Sequence, residues 1–562
     1  MGGIGWLNIS ELLARNARKF PDKTAIIDGE TELFYAEVNR TVNLYVWEEQ
    51  SKGATYMIPI VTAEEMYAID REVAERIGIS ADSLMENAGQ ALFWALKKRI
   101  PPAAKVAVLA GTGNNGGDGF VIARMLKSYG YETDVWLVPP KEKVKGAART
   151  ALEVYEQSGY AWIAYEGKER ELAALLPHYD IIIDALLGIG VKGDVRPPYK
   201  EIIEQVNRSP AVVYAIDVPS GVPADGGEAG MAVRADATLT VQCPKLGAYT
   251  FPAADYYGEL TVVDIGIPPA AVQAKAAARF LWEKSDVVRT MPKRTRSSHK
   301  GTYGKLLIVG GSKAMAGAVT LAAKAALRSG AGLVTIAVPE AMYEAVANRV
   351  PEAMCRLWPA EGGAFAGAAD WDGLEIDAIA VGPGMGRTEG VRRLVNELVR
   401  QPVPLVIDAD ALFFWDDYAE LVRERSAPTV ITPHPGEMAR LLRRPVSEVE
   451  RDRFGVSKRL AMEYGVYVVL KGPYTIVTAP DGAQYVNATG NPALAKGGSG
   501  DVLTGIVAAF LLQHEAVQPA VSNAVFVHGK AADWLVQHGH SSWDVLASDV
   551  VDALPAVLTS LT

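Results

Sequence analysis

The sequence repeatedly alternates a short apolar strand, a glycine-rich turn and a helix, and this alternation constrains the fold more than any other feature. The clearest case begins at residues 106–111 (VAVLAG), whose length and β-branched content predict a buried strand. It continues through a glycine-rich segment at 111–119 into a helix predicted at 120–128. Because each helix returns the chain to the same edge of the sheet, such strands run parallel. The sequence therefore predicts an α/β protein with doubly wound sheets.

The chain is too long for a single hydrophobic core, and its 562 residues predict two or three domains. Strand, turn and helix units occur in 57–268 and again, with different motifs, in 299–562. We interpret these ranges as two doubly wound domains. An alanine-rich segment at 270–279 predicts a connecting helix followed by polar residues, so 269–298 is assigned to a linker. Residues 1–56 are assigned to an appended segment.

The composition disfavours several classes of function. A net charge of −10 argues against nucleic-acid binding. Only Cys243 and Cys355 occur, far apart, and they indicate neither a disulfide framework nor a thiolate metal site, as expected in a reducing cytoplasm. No apolar run approaches the roughly 20 residues of a membrane span, and the N-terminus lacks the apolar region of a secretory signal. We expect a cytoplasmic enzyme without nucleic-acid or membrane partners.

The first glycine-rich segment does not fit a conventional dehydrogenase. Gly111, Gly113 and Gly116 satisfy the GxGxxG pattern of dinucleotide-binding turns. In that fingerprint an acidic residue ends the second strand, but Asp134 precedes the apolar residues of its strand and lies at the wrong edge. The turn can still bind phosphate, and the polar side chains within 114–118 could hold a cation as well as an anion.

Polar side chains also follow two later predicted strands. Asp184 ends an apolar run, and Asp217 ends another, with Ser220 in the tight turn after it. A single carboxylate at such a position commonly caps its own loop. In an open parallel sheet, however, ligands bind beyond the carboxyl ends of the strands, so these residues and Asn115 can converge on one crevice. We therefore favour a binding site at this edge.

Four motifs in this half resemble those of the NAD(P)H-hydrate epimerase domain. They lie at 114–119 (NNGGDG), 184–188 (DALLG), 217–221 (DVPSG) and 243–247 (CPKLG). The resemblance covers roughly 57–268 and implies a Rossmann-like fold.

The epimerase resemblance also implies roles for individual residues. Asn115, Asp184 and Ser220 would help to hold K⁺, and Asp217 would take part in proton transfer, with Lys192 as a weaker candidate. Inversion of the hydroxylated ring carbon requires proton movement, which one carboxylate near the ring can supply. The residues expected to bind the hydrated nucleotide, besides Asp217, are Asn114, Asn115, Gly116, Gly117, Asp118, Gly188, Ile189, Gly190, Val191, Lys192, Gly193, Asp194 and Tyr199.

A second anion site is predicted at 497–501 (GGSGD), directly before the apolar segment 502–512. Glycines allow the backbone to approach a phosphate, and the free amides and dipole of a helix N-terminus attract it. Asp501 would lie where a carboxylate could accept a proton from an attacking hydroxyl. A simple glycine turn with Asp501 as a helix cap is the alternative. No GxxxxGK[ST] segment occurs, so the site is not a P-loop.

Four ordered motifs in the second half resemble the ADP- or ATP-dependent NAD(P)H-hydrate dehydratase domain of the ribokinase-like superfamily. They lie at 382–386 (GPGMG), 408–412 (DADAL), 432–437 (TPHPGE) and 497–501, within a match over roughly 285–560.

The dehydratase resemblance implies that Asp501 is the catalytic base and that Mg²⁺ neutralises phosphate charge. The hydrated nucleotide would contact Ala316, Gly384, His434 and Asp501. The residues expected to bind the adenine nucleotide are Lys471, Gly472, Pro473, Tyr474, Thr475 and Gly500.

Together the two resemblances imply repair of hydrated NADH and NADPH. The R and S hydrates would interconvert in the first domain. The S hydrate would be dehydrated in the second, with release of phosphate and of AMP or ADP. Bacterial members of the family usually use ADP, which favours ADP over ATP, and we expect a homo-oligomer. Two alternatives stay open: a ribokinase-like small-molecule kinase fused to a nucleotide-binding module, and a first domain that binds a nucleotide or a partner without catalysis.

Residues 8–48 resemble the start of acyl-CoA synthetases of the adenylate-forming family, with a predicted helix, strand and helix. The match includes none of that family's catalytic motifs, and nothing later in the chain continues it. No function is assigned to this segment.

Overall fold

The structure is a computed structural model that describes residues Thr24–Asp28, Thr31–Phe34, 57–191 and 193–562. The chain divides into two compact units, Met1–Met57 and Ile58–Thr562. In the first unit, β1 (Thr24–Asp28) and β2 (Thr31–Phe34) pair antiparallel. The helices predicted on either side of this strand region lie outside the described residues.

The first half of the second unit contains a seven-stranded, entirely parallel sheet. The elements up to its last strand are, in chain order, β3 (Ile58–Pro59), α1 (Ala63–Glu72), α2 (Ala81–Lys97), β4 (Lys105–Ala110), α3 (Asn114–Ser128), β5 (Glu132–Leu137), α4 (Gly146–Gln157), β6 (Ile163–Ala164), α5 (Glu169–Leu175), β7 (Ile181–Ala185), α6 (Tyr199–Val206), β8 (Val212–Ile216), β9 (Ala237–Val241) and β10 (Glu259–Val263).

The spatial order of this sheet is β10-β9-β8-β7-β4-β5-β6. The chain first moves outward from β4 to β6, then returns to β7 on the other side of β4 and continues to β10. The direction therefore reverses between the neighbouring strands β4 and β7. Ligand crevices of open α/β sheets form at such a reversal.

Apolar side chains cover both faces of this sheet. One face is buried under α2, α3 and α4, where Phe93, Phe120 and Tyr155 pack in a single cluster. The other face is buried under α5 and α6, where Ile202 packs near Trp136. Strands buried on both faces read as continuous apolar runs, which is the pattern found in the sequence.

The second half contains an eleven-stranded sheet. Its elements are, in chain order, α7 (Pro269–Lys275), β11 (Arg279–Trp282), α8 (Lys284–Thr290), β12 (Lys305–Val309), α9 (Ala316–Arg328), β13 (Leu333–Pro339), α10 (Tyr343–Ala347), β14 (Met354–Trp358), β15 (Ala360–Glu361), β16 (Ala364–Phe365), β17 (Ala378–Val381), α11 (Glu389–Val399), β18 (Leu405–Ile407), α12 (Trp415–Arg423), β19 (Thr429–Ile431), α13 (Pro435–Leu441), α14 (Val446–Arg451), α15 (Arg453–Tyr464), β20 (Tyr467–Leu470), β21 (Thr475–Thr478), β22 (Gln484–Asn487), α16 (Ser499–Leu511), α17 (Val517–Gln537) and α18 (Ala547–Thr559).

The strand order of this sheet is β14-β13-β12-β17-β18-β19-β20-β21-β22-β11-β3. Pairing is parallel from β14 to β20, and β21 then runs antiparallel to both of its neighbours. The short strands β15 and β16 form a separate antiparallel pair. The α/β class expected from the sequence is confirmed in both halves.

The segment 269–298 is more ordered than a linker. After the short helix α7, residues Arg279–Trp282 form β11, which pairs with β22 inside the second sheet. The connecting helix predicted at 270–279 ends at Lys275, because an apolar run (RFLW) follows and is buried against the sheet. The strand β3, from the start of the first half, pairs with β11 on its outer side.

A shared hydrophobic cluster joins the two sheets. Val218 and Tyr249 from the first half pack in one cluster with Leu281, Ile476 and Val486 from the second. Residues 58–562 accordingly form one compact unit. Within the described part of the chain, no helix has the length and apolarity needed to span a membrane.

Candidate functional sites

The helix α3 begins inside the glycine-rich segment, at Asn114, six residues before the helix start expected from the sequence. Its glycines allow close packing at the point where the sheet reverses direction. A Cβ at Gly116 would lie 2.1 Å from the carbonyl oxygen of Gly111, and one at Gly119 would lie 2.8 Å from the Cβ of Ala185 on β7. Only glycine fits at these two positions, so the start of the helix can pack directly against the sheet.

A cavity of about 590 Å³ opens at the reversal between β4 and β7. Most of the substrate-binding residues expected from the sequence line it, together with side chains of α1 that the sequence did not suggest. The expected residues found in its wall are Asn114, Asn115, Asp118, Gly188, Ile189, Gly190, Val191 and Asp217.

The remaining expected residues of the first site do not line this cavity. Gly117 packs against Met85 and Ala148 in the core. Lys192 lies outside the described residues. The other expected residues that do not form part of its wall are Gly116, Gly193, Asp194 and Tyr199.

Asp217 follows β8 with an unusual backbone conformation, a φ of 66°. Its Oδ1 accepts hydrogen bonds from the amide of Val241, at 3.0 Å, and the hydroxyl of Thr240, at 3.2 Å. The ammonium of Lys245 forms an ion pair with the same oxygen, and the Lys245 side chain is almost completely buried. Left-handed backbone in a residue other than glycine is maintained only when its surroundings fix it, and it is frequent at functional sites. The turn thus directs one anchored carboxylate into the cavity.

Asp184, Ser220 and Asn115 form a buried polar cluster next to this cavity. The Asp184 carboxylate accepts hydrogen bonds from the Ser220 amide, at 2.8 Å, and from the Ser220 hydroxyl, at 2.6 Å. Asn115 donates its amide to the carbonyl of Leu187, at 2.8 Å, while its Oδ1 is buried without a hydrogen-bond partner among the described residues. Burial raises the pKa of Asp184 to about 6, although the Ser220 hydrogen bonds oppose this effect. The cluster leaves an unpaired acceptor beside a carboxylate, as a cation site requires.

Two further carboxyl groups face the cavity. Burial raises the pKa of Asp70, on α1, to about 6, with a further contribution from the charge of Asp217 and an opposing one from Lys245. Burial also raises the pKa of Asp118 well above its usual range. The sequence prediction missed Asp70 and Lys245. Lys245 lies in the 243–247 motif, which could have indicated it, whereas only the packing of α1 identifies Asp70.

The second site forms where α16 begins. Gly498 adopts a φ of 94°, and the helix starts at Ser499, so the backbone amides of the glycine turn surround its N-terminus. This helix begins three residues before the apolar segment expected at 502–512, so Asp501 lies in its first turn. A Cβ at Gly500 would lie 3.4 Å from the Lys471 ammonium, so the turn and this lysine are adjacent.

A buried ion pair supports this turn. The Lys471 ammonium contacts Asp408 Oδ1 at 2.9 Å, and the Thr504 hydroxyl donates to Asp408 Oδ2 at 2.6 Å. Burial by itself would raise the pKa of Asp408, but the Lys471 charge and the hydrogen bonds hold it below the usual value. Burial and the charge of Asp408 raise the pKa of Asp501 to about 7, with Lys471 opposing. Asp501 is therefore poised to exchange a proton near neutral pH.

His434 directly precedes α13 and caps its N-terminus. Its Nδ1 accepts hydrogen bonds from the amides of Gly436, at 3.0 Å, and Glu437, at 3.3 Å. Burial and the nearby Lys471 lower the pKa of His434. The imidazole is thus neutral at pH 7, with Nδ1 as acceptor and Nε2 carrying the proton.

Gly384 and Ala316, both expected to contact substrate, lie close together. Gly384 has a φ of 62°, and a Cβ there would lie 2.8 Å from the carbonyl oxygen of Met315, the residue before Ala316. The Gly386 amide donates to Asp410 at 2.9 Å, which fixes the end of the same glycine turn.

The expected nucleotide-binding turn after β20 is held by a buried arginine. Arg453 donates from Nη2 to the carbonyls of Leu470, Lys471 and Tyr474, each at 3.2 Å. The Thr475 hydroxyl donates to the carbonyl of Gly472 at 3.1 Å.

The ring of Tyr474 packs against the first half of the molecule. It stacks on Phe251 with ring centroids 5.8 Å apart and meets the edge of Tyr249 at 5.2 Å. Gly472 and Pro473 are exposed. Lys471 and Gly500 thus adjoin Asp501, whereas the Tyr474 side chain contributes to the contact between the two sheets.

Comparisons with known proteins agree with this division. The NAD(P)H-hydrate dehydratase family matches residues 306–556, and the family described as YjeF-related protein N-terminus matches residues 81–247. A bifunctional NAD(P)H-hydrate repair enzyme of Moorella thermoacetica is 39% identical and covers 89% of this chain and 97% of its own. Its counterpart from Thermofilum pendens is 38% identical and covers 84% of this chain and 91% of its own.

A solved structure is also similar to part of the chain. The ADP/ATP-dependent NAD(P)H-hydrate dehydratase of Bacillus subtilis, co-crystallised with ATP and Mg²⁺, is 36% identical. It covers 50% of this chain and 98% of its own, with a TM-score of 0.45.

Two doubly wound sheets, each with carboxylates and a glycine-rich turn at the carboxyl edge, define a bifunctional α/β enzyme with two small-molecule sites. The sequence similarity covers most of this chain and nearly the whole length of each of these two relatives. The chain belongs to the family of bifunctional NAD(P)H-hydrate repair enzymes.

Proposed function

We propose that this chain repairs hydrated NADH and NADPH with two sites. The cavity at β4 and β7 interconverts the R and S hydrates, and the turn before α16 dehydrates the S hydrate with ADP or ATP. The observation that carries the proposal is the position of Asp501 in the first turn of α16, next to the glycine turn and the Lys471–Asp408 ion pair. A phosphate at this helix N-terminus would lie beside a carboxylate able to accept a proton.

Asp501 is assigned as the base of the dehydratase site. It takes the proton of the ring hydroxyl as that oxygen attacks the terminal phosphate of the nucleotide. Amides of the 497–500 turn stabilise the charge on the transferred phosphoryl group. The phosphate group then leaves far more readily than hydroxide as its C–O bond breaks, the adjacent ring carbon loses a proton to solvent, and the dihydronicotinamide ring is restored.

Lys471 and His434 are assigned to binding. Lys471 is held next to Gly500 by Asp408, so its charge is available to a nucleotide phosphate. His434 Nε2 lies 3.5 Å from Glu437 Oε1 and is more than half exposed, so it can donate a hydrogen bond to the hydrated nucleotide. Gly384 and Ala316 allow that substrate to approach the backbone closely.

Mg²⁺ fits the dehydratase site as a companion of the nucleotide. Within the described ranges, no group of three His, Cys, Asp or Glu side chains is placed to bind a metal ion. Mg²⁺ in kinase-like sites is typically held by one or two carboxylates together with substrate phosphates, and Asp410 and Glu437, whose charges act on Asp501, are the candidates. When bound, the ion would neutralise phosphate charge.

K⁺ fits the cluster beside the first cavity. Asn115 Oδ1 is a buried acceptor without a partner among the described residues, and Asp184 and Ser220 supply further oxygens. One carboxylate with neutral oxygens suits a monovalent cation. Such an ion would fix the start of α3 and position Asn114 and Asp118 for the hydrated nucleotide. Asp217, anchored by Lys245, is assigned to proton transfer.

The test is to supply separate R and S hydrates with ADP or ATP and to follow the recovery of NADH absorbance. We expect Asp501→Asn to lose dehydration of the S hydrate by at least about a hundredfold and to retain interconversion of the hydrates. Asp217→Asn should lose interconversion and retain dehydration. A stable phosphorylated product without NADH recovery would instead identify a small-molecule kinase. Retention of either activity in its assigned variant would refute that role.

We also propose that the enzyme uses ADP, lies in the cytoplasm and forms a homo-oligomer. The choice between ADP and ATP follows from comparing the two nucleotides in the same assay, and light scattering measures the oligomeric state. Both cysteines are free thiols, and Cys243 is buried.

A further inference from the structure

The first cavity contains more carboxyl groups than one proton transfer requires. Asp70, Asp118 and Asp217 all line its wall, and Lys245 is the one described ammonium there. Lys245 is committed to Asp217, because its ammonium forms an ion pair with Oδ1 of that residue. Two carboxyl groups, those of Asp70 and Asp118, thus face the substrate cavity without being part of this ion pair.

Asp70 reaches the cavity from a different element than Asp217. On α1, Met66, Tyr67 and Asp70 line the cavity, and their separations of three and four residues place them on one helix face. Ala74, in the turn that follows the helix, also lines it. Asp217 instead follows the end of a strand. The two carboxyl groups therefore reach the same cavity from separate elements of the fold.

The orientation of α1 is fixed independently of any ligand. Thr62 and Glu65 form a capping box at its N-terminus. Glu65 also forms an ion pair with Arg279 and accepts a hydrogen bond from the Ala277 amide at 3.1 Å. The helix therefore presents Asp70 at a defined position.

Epimerisation at the hydroxylated carbon requires chemistry on both faces of the ring. The C–O bond breaks on one face as the ring nitrogen forms an iminium, and the hydroxyl leaves as water after taking a proton. A solvent water then forms a new C–O bond on the opposite face and gives up a proton. No electrons are exchanged, and one acid and one base balance the protons.

We propose that Asp70 is a second catalytic residue of epimerisation, exchanging a proton with the ring hydroxyl on one face while Asp217 exchanges a proton with the water on the other. This inference rests on the epimerase function proposed above. In one direction Asp70 donates and Asp217 accepts. In the other direction the roles reverse, so one pair of carboxyl groups serves both epimers.

The protonation of Asp70 agrees with this role. Burial raises its pKa to about 6, so the acid form is present at near-neutral pH. The charges of Asp217 and Lys245 shift the pKa of Asp70. The charge of Asp70 in turn raises the pKa of Tyr67, Asp118 and Cys243.

The test compares Asp70→Asn with Asp70→Glu in the full-length enzyme. A matched control is Glu64→Gln, since Glu64 lies on the same helix and is exposed. Chromatography follows conversion of the R to the S hydrate, and mass spectrometry follows incorporation of ¹⁸O from labelled water. We expect Asp70→Asn to lower kcat for epimerisation and the rate of ¹⁸O exchange together, by about a hundredfold or more, with little change in KM. Asp70→Glu should recover part of both, and Glu64→Gln should match the unaltered enzyme.

Dehydration of the S hydrate reports on folding, because both sites belong to one compact unit. It should be unchanged in Asp70→Asn. The assignment fails if Asp70→Asn epimerises within about twofold of the unaltered enzyme, or if only its KM rises. If the unaltered enzyme does not exceed the spontaneous rate, the epimerase function itself fails and this role with it.

Discussion

At the scale of single residues, the chemistry depends on groups whose neighbours change their protonation. Asp501 and Asp70 are carboxyl groups whose pKa is raised toward neutrality by burial and by nearby carboxylates. Asp408 is more deeply buried than either, yet Lys471 and Thr504 hold its pKa below the usual value. The same residue type therefore performs different tasks according to its partners. A sequence shows the aspartates but not these partners, which come from distant positions.

His528 illustrates a structural use of burial. Its side chain is buried on α17, and burial lowers its pKa to about 4, which contact with the backbone of Ser499 offsets only in part. Its Nε2 has no hydrogen-bond partner among the described residues. The folded protein therefore holds this imidazole neutral, directly behind the first residue of the helix that carries Asp501.

A stability prediction follows for His528. Because its pKa in the folded state lies below the unfolded value of 6.5, its favourable contribution is complete above pH 6.5 and is lost as the pH falls toward 4. The loss reaches about 3 kcal/mol in free energy of unfolding. In His528→Gln, the free energy of unfolding, measured with urea from pH 7 to pH 4, should fall by about 3 kcal/mol less than in the unaltered protein.

The control for this prediction is His178→Gln, because the His178 side chain is exposed. It should follow the unaltered protein across the pH range. Identical pH profiles for His528→Gln and the unaltered protein would show that His528 is not held neutral by the fold.

At the scale of elements, glycines set how closely helices and strands approach. The helices α9 and α16 cross at Gly505, where a Cβ would lie 2.1 Å from the carbonyl oxygen of Ala322. This contact fixes the helix that begins at the phosphate turn. Gly317, also helical, has nothing within 4 Å of a Cβ position. Close packing thus requires glycine at position 505, whereas a side chain would fit at position 317.

Alanine substitutions at the two glycines should change the free energy of unfolding in opposite directions. Gly505→Ala forces α9 and α16 apart and should lower the free energy of unfolding by about 2–3 kcal/mol. Gly317→Ala meets open space and should raise it by up to about 1 kcal/mol through helix propensity. Urea unfolding measures both. Equal effects of the two substitutions would contradict the close crossing seen at Gly505.

At the scale of the whole molecule, the two halves share structure instead of being joined by a flexible tether. The strand β3 precedes the first sheet in sequence and pairs with β11 at the edge of the second. Val61 then bridges to Lys245, the partner of Asp217. Glu65 forms an ion pair with Arg279, at the start of β11. The edge of the second sheet therefore positions the helix and the loop that form the first cavity.

Loss of this connection should impair one activity selectively. Arg279→Met removes the ion pair to Glu65 but leaves the helix cap at Thr62 in place. We expect kcat for epimerisation to fall roughly tenfold, because α1 no longer holds its position, while dehydration of the S hydrate is retained. Steady-state assays of the separate hydrates measure both.

A matched control is Arg208→Met, which removes an exposed ion pair with Glu204 in the same half. Exposed pairs contribute at most about 1 kcal/mol, so this variant should keep both activities. An equal fall of both activities in Arg279→Met would indicate general unfolding, and no fall would show that α1 is positioned without the second sheet.

The sequence by itself determined the α/β class, the parallel arrangement of strands and the identity of the motifs at 114–119 and 497–501. Strand pattern, turn glycines and helix caps are local properties, so the residues that encode them are neighbours in the chain. Tertiary structure alone decided that β11 belongs to the second sheet, that Tyr474 packs against Phe251, and that Asp70 shares a cavity with Asp217. These outcomes depend on contacts between residues more than a hundred positions apart, whose burial and charge no local pattern records.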